Sequence, residues 1–133
     1  MNKHNAPRLA LAAALVAGLV SLHATAADPL TAAQLKDMFS DKTISAINHA
    51  AGDKPQNTYF SADGKTIQKT ADGKKKAGTW RVDNKSQQCI TWSGSAEVCS
   101  TVVARGDGTY QRLVGDKATV TIQKMRQGNL LDE

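Results

Sequence analysis

Histidine, glutamate and aromatic residues are all scarce in this chain, and each shortage removes a class of chemistry. There are three histidines, two glutamates (Glu97 and Glu133) and 5% aromatic residues. Serine or cysteine nucleophiles need a nearby base, usually histidine, and no nucleophile-elbow motif occurs. His4 and His23 lie close to the amino terminus, so His49 is left as a lone imidazole in a polar loop. Paired-carboxylate catalysis has little to draw on, because most aspartates fall in Gly- and Asn-containing turn signals where they serve backbone geometry. Gly-rich phosphate loops are absent, and no cofactor is expected. Nucleic-acid binding would need clustered Lys and Arg with interleaved aromatics. The sole cluster, Lys74-Lys75-Lys76, reads as a solvated turn. These shortages make a non-catalytic protein the expectation.

Long apolar runs are also missing, apart from Leu9 to Val20. A bilayer-spanning helix needs roughly 20 apolar residues, so this run does not span and no membrane insertion is expected. Lys3 and Arg8 precede the run and Ala24-Thr25-Ala26-Ala27 follows it, the pattern of a secretory signal peptide cleaved after Ala26 or Ala27. No cysteine near the cleavage site offers a lipid anchor. Residues 1–27 are therefore expected to be a leader and 28–133 a single domain. Loss of Lys3 and Arg8 lowers the formal charge of +5 by two, leaving an ordinary surface.

After the leader, Leu30-Thr31-Ala-Ala-Gln34-Leu35 carries a helix start. Thr31 is the N-cap, Gln34 closes a capping box, and Leu30 is placed to staple onto Leu35. Leu35, Met38 and Phe39 give the short helix one apolar face. From Thr43 onward the chain repeats one design, a run rich in β-branched or aromatic residues followed by Gly, Asp, Asn or Ser. Eight runs are predicted as strands: 43–47, 57–61, 66–70, 78–82, 88–92, 98–104, 110–114 and 118–124. Short turns make neighbours antiparallel, and a meander of this length hides its edges by closing. The predicted fold is mainly β, a small antiparallel up-and-down barrel or lipocalin-like meander of about eight strands with one short N-terminal helix. The stretch from Asn48 to Gln56, with Gly52 and Pro55, is the longest break and is expected to form a mobile lip.

Ser61-Ala-Asp-Gly-Lys65 and Thr70-Ala-Asp-Gly-Lys74 form a near-repeat. A calcium site needs more carboxylates than these offer, and the Lys after each Gly opposes a cation, so both read as hairpin turns. Cysteine is limited to Cys89 and Cys99, flanking a Ser93-Gly94-Ser95 turn. A three-residue loop would set Trp92 against Ala96, Ile90 against Val98 and Cys89 against Cys99, with the cysteine pair on the opposite face from Ile90 and Trp92. Facing antiparallel residues lie within disulfide range. Zinc would need about four ligands, and His49 lies outside any ligand spacing, so no metal site is expected. A redox pair would usually be Cys-X-X-Cys, so the bridge reads as structural.

Leu-Thr-Ala-Ala-Gln-Leu near the start of the domain, Lys42-Thr43-Ile44, Tyr59-Phe60-Ser-Ala-Asp63-Gly64, Gly78-Thr79-Trp80-Arg81-Val82, the Cys-X-X-Trp at 89 to 92, and a second Cys ahead of Gly-Asp-Gly-Thr-Tyr110 form an ordered set. The set resembles a family of small secreted proteobacterial proteins catalogued as a domain of unknown function. The resemblance implies a lipocalin-like or similar compact β-fold in the periplasm and brings no catalytic residues.

Two non-enzymatic functions fit. In one, a small barrel holds an apolar or amphipathic ligand at its mouth, with Trp80, Trp92, Tyr59, Phe60 and Tyr110 as candidate lining residues, although in so aromatic-poor a chain Trp80 and Trp92 also suit the core. In the other, rigid strands present the 48–56 loop and the Lys74 to Lys76 turn to a periplasmic enzyme or complex, as an inhibitor or accessory subunit. Intact-mass measurement before and after reduction is expected to reveal one oxidised cysteine pair in secreted material; two free thiols would refute the bridge.

Overall fold

A computed structural model of the chain describes residues 27–133. The expected leader lies outside the described residues except for Ala27. Helix α1 (Ala32–Phe39) is followed by β1 (Lys42–Asn48), a single 3-10 turn (His49–Ala51), β2 (Lys54–Phe60), β3 (Lys65–Thr70), β4 (Lys75–Val82), β5 (Gln88–Trp92), β6 (Val98–Ala104), β7 (Tyr110–Val114) and β8 (Lys117–Gln127). The strands pair in sequence order, all antiparallel, and β8 returns to β1 to close the barrel. The expected architecture and all eight strands are present.

Closure demands curvature, and β8 supplies it through two bulges. Its register slips against β1 between Ser45 and Ala46, and against β7 between Arg112 and Leu113. An extra unpaired residue bends and twists a strand, which lets it reach neighbours on both sides. Alternation then points Ile44, Ala46, Phe60, Trp80, Ile90, Val102, Val120 and Ile122 into the lumen, where they form the core.

The helix plugs one end. Thr31 Oγ1 accepts from the Gln34 amide while Gln34 Oε1 accepts from the Thr31 amide, so the predicted capping box is complete. Leu35 and Phe39 have no exposed surface. Phe39 meets Phe60 at 5.1 Å in an edge-to-face arrangement, and Phe60 meets Trp80 at 5.5 Å in another. Such pairs add about 0.5–1.5 kcal/mol each beyond the area they bury. The Trp80 indole N–H donates to the Ser61 carbonyl at 2.7 Å, so the ring is buried without an orphaned donor.

The seam between β5 and β6 is the shortest ladder, holding only Gln88–Ser100, Cys89–Cys99 and Ile90–Val98. Two reinforcements lie along it. The disulfide links Cys89 to Cys99 in the predicted register, with 4.0 Å between their Cα atoms. Beyond Gln88, where β6 would otherwise be bare on that side, Pro29 bridges to Val103 and the Leu30 amide donates to the Val102 carbonyl. The ladder stops before Trp92 and Ala96, and Val98 is left exposed.

Two expectations about loops are corrected. The 48–56 stretch is not one long break: Lys54 to Gln56 extend β2, the Asn48 side chain caps the 3-10 turn at Ala51, and both ring nitrogens of His49 are engaged. Only Lys74 of the lysine triplet lies in a turn, because Lys75 and Lys76 open β4. Alternation over so short a polar start was too faint to extend either strand. The two Ala-Asp-Gly segments are hairpin turns as expected, with Gly64 and Gly73 at φ of 93° and 82° and each Asp accepting from the backbone amide of the following Lys.

The C-terminal residues run back along the barrel exterior as a strap. Thr43 Oγ1 donates to the Gly128 carbonyl and accepts from the Leu130 amide, the Leu131 carbonyl accepts from Lys69, and Asp132 pairs with Lys75. This strap seals Thr43 completely and buries Leu131.

Phe39→Ala is expected to cost about 3–5 kcal/mol in urea unfolding, because it empties the plug. Gly78→Ala should cost about 1–3 kcal/mol, since a Cβ there would lie 2.5 Å from the Thr91 carbonyl oxygen and 2.9 Å from the Trp92 ring. Reducing the disulfide should remove about 2.5–3 kcal/mol in the same assay.

Candidate functional site

With α1 at one end, the other end of the barrel is where a ligand has room. Strand β1 finishes there, β2 begins, β3 finishes and β4 begins, and between them lies a cavity of about 470 Å³. Asn48, Gln56 and Thr70 form its polar wall, and Ala51, Pro55 and Ala71 give apolar patches. Four lysines, Lys54, Lys74, Lys75 and Lys76, surround it with Asp72 as the one acid. Asp72 sits 3.8 Å from Lys74, and Lys75 is held by Asp132 at 2.5 Å. Lys76 lies over the Trp92 ring, 4.6 Å from its centroid. Lys54 and Lys76 have no ion-pair partner among the described residues, so the mouth carries net positive charge.

The lumen carries buried polar side chains as well as the apolar core. Asn48 Nδ2 donates to Gln56 Oε1 at 3.0 Å, and Gln68 Nε2 donates to Thr58 Oγ1 at 3.2 Å. Gln56, Thr58, Thr66, Gln68, Gln88 and Ser100 are all buried. Polar side chains thus line the lumen along its length, with Gln56 at the mouth and Thr66 and Gln88 at the plugged end beside the aromatic cluster.

The aromatic residues proposed to line a site are not brought together. Phe60 and Trp80 belong to the plug, so they form core instead of a pocket wall. Tyr59 points outward and donates to Asp41 at 2.7 Å, a bond to a carboxylate that raises its pKa. Tyr110 faces a shallow depression beside α1, with Met38 and Met125, and Trp92 faces another beside Gly78. Trp92 alone among the five stands near the mouth, through Lys76.

His49 has more company than its loop position announces. Its Nδ1 is 2.5 Å from Asp53 Oδ1 and its Nε2 is 2.7 Å from Thr121 Oγ1. This carboxylate, imidazole and hydroxyl sequence ties the turn after β1 to β8. Thr121 is buried on the outer face, away from the mouth cavity. Asp83, Cys89 and Cys99 also cluster, but the two sulfurs are bonded to each other and offer no thiolate. Beside them Arg81 grips Glu97 through two bonds of 2.9 and 2.6 Å, which depresses the Glu97 pKa.

Such a barrel, closed throughout, plugged at one end and open to a basic cavity at the other, defines a small closed β-barrel domain. The chain belongs to the family described as Protein of unknown function (DUF995), which it matches over residues 8–125. No curated protein and no solved structure matches it. The strap beyond Gln127 falls outside the family match.

Acid should weaken the fold. Asp63, Asp72 and Asp107 have pKa values lowered below the ordinary 3.8, chiefly by the hydroxyls of Ser61, Thr70 and Thr109 and then by backbone amides. A folded-state value below the unfolded one means that stability is complete above pH 3.8 and is lost as pH falls through the depressed values. Thermal unfolding between pH 6 and pH 2, conditions spanning about two units either side of the carboxylate range, is expected to show this loss, and Asp63→Asn with Asp72→Asn should flatten it.

Proposed function

We propose that the protein is a non-catalytic, periplasmic binding barrel that takes a small anionic amphiphile at its basic mouth. One observation carries this reading: the unplugged end opens onto a cavity of about 470 Å³ that is rimmed by four lysines and a single aspartate. Small-molecule sites run about 300–1,000 Å³ and combine apolar walls with a few convergent polar groups. Ala51, Pro55, Ala71 and the lysine methylenes supply the first, and Asn48, Gln56 and Thr70 the second. The lysine heads favour a negatively charged end group, which moves the expected ligand from purely apolar to amphipathic.

The disulfide supports an oxidising compartment, and a secretory leader would deliver the chain there. A docking module for another protein draws less support. Among the described residues the large apolar side chains left exposed are Val98 and Val114, too little surface for an apolar interface.

Titration with 8-anilinonaphthalene-1-sulfonate, an anionic amphiphile that fluoresces when shielded from water, tests the reading. Saturable binding is expected, weakening as salt screens the lysines. Lys54→Glu combined with Lys76→Glu should lower the affinity by about tenfold or more, a loss of about 1.4 kcal/mol. Equal binding by the variant would sink the proposal.

A further inference from the structure

We infer that the barrel interior contains a second site, separate from the mouth, in which Gln88 and Arg112 bind a small monoanion. Gln88 projects inward from β5 and is completely buried, and Arg112 projects inward from β7, where its register partners are Val102 and Val120. The Arg112 Nη2 donates to Gln88 Oε1. An arginine can only donate, so this bond fixes which end of the amide faces it, and Nε2 must point away.

Two donors remain. Gln88 Nε2 and Arg112 Nε are both sealed from solvent and have no hydrogen-bond partner. Each is attached to the same carbon as an atom of the Gln88–Arg112 bond, so both flank a single junction. On another side the guanidinium carbon lies 5.9 Å from the Phe39 ring centroid, which offers only a π face.

Charge points the same way as the unpaired donors. All twelve acidic residues of the chain lie outside the strands, in turns, in α1 or near the chain ends. Among the described residues no carboxylate pairs with Arg112. Burial lowers the Arg112 pKa to about 10, which still leaves the group charged at neutral pH. Buried donors are normally paired, and an interior cation is normally matched by an anion. One small acceptor-only species with a single negative charge, a halide or a carboxylate group, meets both needs, whereas a dianion would overcompensate one guanidinium.

The inference does not depend on the mouth reading, and one set of measurements separates the two. Thermal unfolding of the purified protein in a low-salt zwitterionic buffer is followed while sodium bromide, sodium acetate or sodium octanoate is added. Bromide and acetate are expected to raise the midpoint saturably, by about 4–8 °C for a site severalfold above half-saturation. The mouth variant Lys54→Glu with Lys76→Glu should keep that response. If the same variant weakens the octanoate response alone, the carboxylate belongs to an amphiphile entering by the mouth; if all three responses persist, free anions reach the site. Gln88→Glu places a carboxylate beside Arg112, so it should raise the midpoint without added salt and abolish the responses to bromide and acetate. Arg112→Met, which removes the cation, should abolish them as well. Unchanged responses in Gln88→Glu or Arg112→Met, or no saturable response in the natural sequence, would overturn the site.

Discussion

Phe39 inserted among Phe60 and Trp80 is the interaction on which the rest of this molecule depends. Eight strands closed on themselves have no edges but two ends, and an end must be filled by something from outside the sheet. The helix fills one, using a side chain with no exposed surface. Because the plug is carried by a segment that precedes β1, only one end of β2 and of β4 is spent on packing it, through Phe60 and Trp80. The mouth is thereby free to carry lysines, glutamines and threonines that a filled barrel would have no use for.

That freedom has an energetic cost elsewhere. A lumen lined by Gln56, Thr58, Gln68, Gln88 and Ser100 buries polar groups that must find partners, and each such pair contributes less than apolar packing of the same volume. The aromatic cluster, the disulfide and the strap offset this at three different places. The disulfide acts where backbone pairing is thinnest, between β5 and β6, and Pro29 extends the same seam. The strap acts on the opposite wall, over β1 and β3, through Thr43 and Lys69.

Most of this fold is written in local patterns. Turn residues and alternation mark eight strands, short connections make them antiparallel, and the capping box at Thr31 places the helix within a residue of its start. Cys89 and Cys99 could be paired because a three-residue loop sets their register. The interior was harder to read, since inward positions are normally inferred from apolar residues. In Tyr110-Gln-Arg112-Leu113 the apolar rule would send Leu113 inward, yet the structure turns Arg112 in and Leu113 out. A register displaced by one residue reverses every side chain on a strand, and the β8 bulge beside Arg112 is a tertiary feature with no local signal. The mouth was hidden for the same reason: Asn48, Gln56 and Thr70 look like surface residues until closure encircles them. The aromatic residues misled because large side chains suit a plug as well as a pocket.

The family match covers residues 8–125 and ends before the strap. The strap and the Pro29 bridge also decide how the chain enters and leaves the barrel. Pro29 meets the end of β6 on the plugged side, whereas Asp132 meets the start of β4 at the mouth. The first and last of the described residues thus lie toward opposite poles. The described chain enters the barrel at the plugged pole, and an addition after Glu133 would stand at the doorway itself.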